Sequence, residues 1–369
     1  MMKIGKVSRD TILPAIASAV QACDKSQIAI WETLLLEVGD GILTVTGAGK
    51  DMEIAASVDI SAAELTDGTA CIPGKKLYDI LKCIAPSTAL SLSVSEGKAT
   101  LQAGRSRFTL SALPPTNFPK VATNRSKATI HIDPAEMKNH LDRVKHAAAK
   151  RDVRHYLNGV LITTGDGCMR YVASDGHRLA YSEQTDLKDA NKDSSSIIPQ
   201  GSVSTIVSWL GSNESKVKLS ISDNHISLTR PGSKIVAKLV DGKFPDFEKL
   251  IPKGYPNVAT LSISDLKHAV SRALILANEQ HKCVVAHLNP DDVKVCGTNP
   301  ANEEADDMIA ADYDGEPLTL GLNGEYLRDA IGAIPGTEVA IAALNSDSSI
   351  LITSPTCTTT KQVVMTMRL

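Results

Sequence analysis

Apolar residues at Leu77, Ile80, Leu81 and Ile84 fall at i, i+3, i+4 and i+7, the spacing of one helix face. The same template returns at Val203, Ile206, Val207 and Leu210, and again at Leu327, Ala330, Ile331 and Ile334, at offsets of 126 and 124 residues. A turn signal precedes each copy: IPGK (72–75), IPQG (198–201) and LNGE (322–325). An earlier helix also recurs, on Leu13, Ile16 and Val20, on Met137, Leu141, Val144 and Ala148, and on Leu266, Val270, Leu274 and Ala277. Ser8, Asp133 (before Pro134) and Ser264 are the expected N-caps.

Alternating segments follow each second helix. They are LSLSV (90–94), VKLSI (217–221) and VAIAA (339–343), then ATLQA, ISLTR and ILITS. A closing strand ends each unit: RFTLSAL (107–113), KIVAKLV (234–240) and VVMTMRL (363–369). Helix, strands, helix and strands in one order at near-constant spacing predict three tandem α+β domains, each with two helices and an antiparallel sheet. The boundaries are 1–125, 126–253 and 254–369, with the proline-bearing exits NFPK (117–120) and KFPDFEKLIPKG (243–254) near them.

Charge sharpens this pattern. Net charge is -3, yet segment 135–154 holds six Lys/Arg against three Asp/Glu. The six helical segments together carry +5 and the rest of the chain -8. A basic helical surface with an acidic exterior shows that partition, and so do ordinary solvated helix faces. On charge alone Lys76, Lys138, Arg143, Lys145 and Arg272 are candidate phosphate contacts.

Composition excludes several classes. No run approaches the roughly 20 apolar residues of a membrane span, and MMKIGKVSRD lacks the apolar core of a secretory signal. Seven cysteines without a CxxC pair argue against a disulfide framework and a zinc site, so a cytoplasmic protein without metal or cofactor is expected. VTGAGKD (45–51) fails the phosphate-loop pattern, because Asp51 replaces Ser/Thr. ASDGHRLAYSE (173–183) sets Asp175, His177 and Arg178 together. As an acid–base site it lacks a nucleophile or metal partner, so a turn with a buried or pocket-lining His177 is the better reading. No catalytic residue is expected. An enzyme centred on those three residues is the alternative, and a scaffold without a DNA partner is a third.

RDVRHYLNGVLITT (151–164), ASDGHRLA (173–180), KFPDFEKLIP (243–252), GRSRFTLSALPPTNFP (104–119), NPANEEADD (299–307) and VVMTMRL are similar to the bacterial DNA polymerase III beta subunit, the sliding clamp. The resemblance runs end to end. It implies a non-enzymatic homodimer of three-domain subunits, closed head to tail into a six-domain ring around duplex DNA. Helices line the hole of such a ring and sheets form its outside. Its partners would be double-stranded DNA without sequence preference, a second copy, the polymerase III catalytic subunit, the clamp loader, and repair polymerases, ligase and mismatch-repair proteins.

By that resemblance, Lys25, Arg151 and Tyr156 stand at DNA-contacting positions. Phe108, Ile275 and Leu276 match an apolar subunit contact, with Arg105 and Arg107 available to meet Glu304, Asp306 and Asp307. The implied pocket for partner peptides comprises Arg154, Leu157, Ser174, Gly176, His177, Arg178, Leu179, Pro245, Leu250, Val363, Val364, Met365, Met367 and Arg368, with Asn323, Tyr326 and Ser349 alongside. The family usually has proline where Thr366 stands, tyrosine at His155, and a PILGN-like stretch at IAIWET (28–33). Thr366 is therefore expected to influence peptide preference.

Overall fold

A computed structural model describes residues 2–24, 28–61, 63–121, 126–211 and 215–369. Its helices are α1 (Arg9–Ala19), α2 (Gly74–Cys83), α3 (Pro134–Val144), α4 (Gln200–Leu210), α5 (Ile263–Leu276) and α6 (Gly324–Ala333). The chain separates into two compact units, Met1–Pro134 with Ser204–Leu239, and Ala135–Val203 with Val240–Leu369. Elements of the middle repeat enter both.

In the first unit a five-stranded sheet runs Glu64–Thr66, Met2–Ser8, Ala89–Ser95, Lys98–Ala103, Ser106–Ser111. An eight-stranded sheet runs Ala128–Ile132, Val217–Ile221, His225–Arg230, Ser233–Lys238, Met52–Asp59, Ile42–Ala48, Thr33–Gly39, Gly68–Pro73. The second unit has one thirteen-stranded sheet: Ser194–Pro199, Gly159–Gly165, Cys168–Ser174, Arg178–Gln184, Cys357–Val364, Ile350–Ser354, Glu338–Ala343, Asn257–Ser262, Glu304–Asp312, Asp292–Thr298, Cys283–Asn289, Leu318–Asn323, Thr366–Met367.

The repeat is visible in how helices meet strands. A Cβ on Gly47 would lie 2.0 Å from the Ala19 carbonyl oxygen, and one on Gly297 would lie 2.1 Å from that of Ala273. Glycine at these strand positions lets α1 and α5 sit directly on the backbone, which is the structural use of Gly47 in VTGAGKD. Each repeat also closes alike: Leu113 bridges back to Cys71, Val240 to Ile197, and Met367 pairs with Gly321.

Two expectations are corrected. The α5 cap is Ser262, whose hydroxyl accepts from the Asp265 amide at 3.3 Å; Ser264 lies in the first turn. The third closing segment is KQVVMTM (361–367) rather than VVMTMRL, because Met367 holds the place of Val240 and Leu113. A register shift between Thr353 and Ser354 starts its strand early, at Cys357, and displaces the alignment. The helix faces also differ in detail. In α1 the buried residues are Ile12, Ala15, Ile16 and Ala19, while Leu13 and Val20 are only partly buried. All four template positions of α4 and of the α6 repeat are buried.

Among the described residues no helix is long and apolar enough to cross a membrane, and no group of three His, Cys, Asp or Glu could hold a metal ion.

Candidate functional site

In the second unit the hairpin of strands Cys168–Ser174 and Arg178–Gln184 turns through Asp175–His177. One oxygen of Asp175 accepts from the amides of His177 at 2.9 Å and Arg178 at 3.0 Å, an arrangement that fixes the turn. Ser174 Oγ accepts from the Gly176 amide at 3.2 Å and donates to the Arg178 carbonyl at 2.8 Å. Gly176 has φ 91, a conformation that favours glycine, and a Cβ there would press on the Arg154 guanidinium at 3.0 Å.

Two arginines brace this turn. Arg154 grips Asp152 with Nε at 3.0 Å and Nη2 at 2.8 Å, and donates to the Asp175 carbonyl at 3.2 Å. That grip holds the Asp152 carboxyl down at about 2. Arg178, largely buried, reaches Asp175 at 3.1 Å, Asp329 at 2.8 Å and the His146 carbonyl at 2.5 Å, beneath the Tyr326 ring with its centroid 4.2 Å away. Asp175 and Arg178 are thus spent on holding the hairpin, and His177 is exposed on its tip.

Beside the turn lies a cavity of about 240 Å³, lined by Ser174, Gly176, His177, Arg178, Leu179, Leu250, Ser349, Val363 and Met365. Leu179 and Val363 are cross-strand partners at its base. Leu250 and Met365, 52% and 51% exposed, stand as unburied apolar groups at its mouth. The Met365 amide donates to the His177 carbonyl at 2.9 Å, tying the C-terminal segment to the hairpin. An apolar pocket rimmed by a few placed polar groups suits a short peptide with hydrophobic anchors.

The other expected pocket residues are not among those lining this cavity, and they have different roles. Leu157 and Val364 are buried in cores. Asn323 caps α6 by accepting from the amides of Glu325 and Tyr326. Thr366 and Met367 pair with Leu322 and Gly321, while Pro245 and Arg368 are exposed. Asp152, Asp329 and His146, which hold the two arginines, went unread in the sequence. Asp329 is 151 residues from Arg178, beyond any local pattern.

Of the candidate phosphate contacts, Lys25 lies outside the described residues. Lys76 is exposed on α2. Lys138 and Lys145 both bond Asp142, at 3.3 and 2.5 Å, and Arg143 lines a groove with 332–335. Arg151 is exposed with φ 59, and Tyr156 lies against Gly242. Arg272 is held by both oxygens of Asp307, at 2.7 and 2.8 Å.

The expected subunit contacts lie on two strand edges. Strand Ser106–Ser111 ends its sheet and has no partner on its far side among the described residues; Arg105 and Arg107 are exposed there and Phe108 is half-buried. Strand Glu304–Asp312 pairs along 304–310 with Asp292–Thr298, but meets Asn257–Ser262 only at Ala311 and Asp312. Glu304 and Asp306 are exposed on it, with Asp306 held by Lys294 at 2.8 Å and Asp307 by Arg272. On α5 nearby in sequence, Ile275 is 77% exposed and Leu276 half-buried.

Comparison with known proteins gives this arrangement its class. Models of the N-terminal, central and C-terminal domains of the DNA polymerase III beta subunit match residues 2–122, 131–246 and 248–368. The beta sliding clamp of Pseudomonas putida is 31% identical over 98% of this chain and 99% of its own length. That of Escherichia coli K12 is 31% identical over 93% of each. A crystal structure of the Pseudomonas aeruginosa DNA polymerase sliding clamp with ligand superposes with a TM-score of 0.95 at 31% identity, covering all of both chains. The fold is the three-domain α+β clamp fold. The chain belongs to the family of the DNA polymerase III beta subunit, and its function is that of a sliding clamp, a processivity factor of DNA replication.

Proposed function

We propose that two copies close head to tail into a six-domain ring around duplex DNA, with domain boundaries at 125/126 and 253/254. The observation that carries this reading is the pair of open strand edges, one basic at Arg105 and Arg107 and one acidic at Glu304, Asp306 and Asp307. Joining them satisfies unpaired backbone groups, covers Phe108, Ile275 and Leu276, and sets opposite charges face to face. The ion pairs are exposed and contribute roughly 0–1 kcal/mol each, so they fix register more than strength.

Retention on DNA then comes from topology. Lys25, Lys76, Lys138, Arg143, Lys145, Arg151, Tyr156 and Arg272 act as loose, sequence-independent contacts to phosphate that permit sliding. The sharing of Asp142 by Lys138 and Lys145 favours weak contacts, because each ammonium already has a partner. The Leu179–Val363–Met365 cavity receives the linear motifs of the polymerase III catalytic subunit, the clamp loader and repair proteins in turn, at the nucleoid in the cytoplasm.

Solution mass tests the joint. Wild type is expected as a dimer, and Arg107→Glu with Arg105→Glu as monomer. Restoration of the dimer by adding Glu304→Arg and Asp306→Arg to a second, mixed chain supports the pairing. A wild-type monomer at micromolar concentration would contradict it.

A further inference from the structure

A further cavity lies in the first unit, apart from the peptide cleft. It has a volume of about 600 Å³ at the C-terminal end of α1 and the N-terminal end of α2. Val20, Cys23, Pro73 and Leu113 give it an apolar wall. Such a volume is that of a small-molecule site rather than a packing defect.

The third repeat carries larger side chains at the matching positions. Ala19 and Ala273 occupy matching positions beneath Gly47 and Gly297, so Val20 matches Leu274. IPGK matches LNGE, so Lys76 matches Tyr326. In the third repeat Leu274 packs so close that a Cβ on Gly324 would meet it at 2.7 Å, and the Tyr326 ring lies on Arg178. At the matching positions of the first repeat stand the smaller Val20 and the exposed Lys76.

Two carboxylates, Asp24 and Glu32, and two lysines, Lys75 and Lys76, line the cavity. Asp24 is engaged, accepting from the Lys50 amide at 2.6 Å. Lys75 pairs with Asp79 at 3.1 Å. Lys76 has no ion-pair partner among the described residues. It sits in the first turn of α2, whose cap, Pro73, supplies no side-chain acceptor, so the amide dipoles there add to its positive field. The Cys23 thiol, pushed up to about 12 by burial, stays protonated and serves as apolar wall.

From the cavity and its charge we infer a second ligand site that takes a small amphipathic anion, its aromatic or aliphatic body in the cavity and its acidic group at Lys76. The site is distinct from the peptide cleft; it shares Lys76 with the proposed DNA surface and Ser111 with the strand proposed for the subunit joint.

The test uses the full chain with 1-anilinonaphthalene-8-sulfonate as an anionic probe and N-phenyl-1-naphthylamine as its uncharged counterpart, read by fluorescence titration. One saturable site is expected for the anion, at least tenfold tighter than for the amine. Lys76→Glu lowers the anion's affinity at least tenfold, and Val20→Phe abolishes binding. If Val20→Phe does not fold, Val20→Leu is expected to weaken the probe and raise Tm. Leu179→Glu, in the other unit, leaves binding unchanged. Affinity unaffected by Lys76→Glu, equal binding of the two probes, or loss of the signal in Leu179→Glu would each overturn the inference.

Discussion

Two places in the molecule share a backbone plan and differ in chemistry. In the second unit, strand Arg178–Gln184 pairs with Cys357–Val364, and the Met365 amide donates to the His177 carbonyl at 2.9 Å. In the first, strand Met52–Asp59 pairs with Ser233–Lys238, and the Lys238 amide donates to the Asp51 carbonyl at 2.8 Å. Register places Glu53 where the other has Leu179, and Lys238 where it has Met365. The Glu53 carboxylate accepts from the Val121 amide at 2.8 Å, and the Lys238 ammonium donates to the Lys50 carbonyl at 2.6 Å. One place spends its side chains on closing itself. The other keeps them apolar and leaves about 240 Å³ open. The same strand geometry thus makes a joint or a binding cleft according to a few side chains.

The largest effect is expected at Arg178, whose counterpart is the apolar Met52. Arg178→Ala leaves the Asp175 and Asp329 carboxylates without their cation, and is expected to destabilise the chain by about 3 kcal/mol, read by urea unfolding. A loss under 1 kcal/mol would mean the guanidinium does not hold the hairpin.

Next comes an exchange of character between the two places. Leu179→Glu is expected to weaken a labelled polymerase peptide about a hundredfold, through burial of a carboxylate in an apolar cleft, and to lower Tm as well, because Leu179 is buried. Anisotropy titration reads it, and full retention of affinity would place the peptide elsewhere.

A pH effect separates the units further. Burial beneath Tyr171, with Arg143 nearby, pushes the His140 imidazole down to about 4, although Ser182 Oγ lies 2.8 Å from Nδ1 and Glu136 lies 3.7 Å from Nε2. The folded chain refuses a proton that the unfolded chain binds between pH 6.5 and 4. The contribution is therefore complete above pH 6.5 and is lost as pH falls towards 4, by up to about 1.4 kcal/mol per pH unit. His140→Gln should flatten that slope in unfolding curves; an unchanged slope would assign the dependence to other groups.

The smallest effect is the converse exchange. Glu53→Leu with Lys238→Met removes two hydrogen bonds and is expected to cost about 1–2 kcal/mol without creating peptide affinity, because the turn there is Lys50–Asp51 rather than Gly176–His177. Peptide binding gained at the first unit would show that apolar side chains alone make the cleft.

The repeat was legible because helix periodicity and turn residues are local signals, and the six helices lie where Leu77, Met137 and their counterparts put them. The opening strands Met2–Ser8, Ala128–Ile132 and Asn257–Ser262 went unread, being short, with glycine or histidine inside the first two and asparagine at the head of the third. The end of the third repeat was read two residues late because a register shift leaves no mark in composition. The cleft residues came from resemblance. What holds them, Arg178 against Asp329 and Arg154 against Asp152, is tertiary or too commonplace in pattern to notice.

Retention on circular against linear DNA tests the central claim most directly. Chains placed by the loader on a nicked circle are expected to remain through gel filtration at high salt, and to leave when one cut linearises the DNA. Equal retention on both forms would contradict a topological clamp.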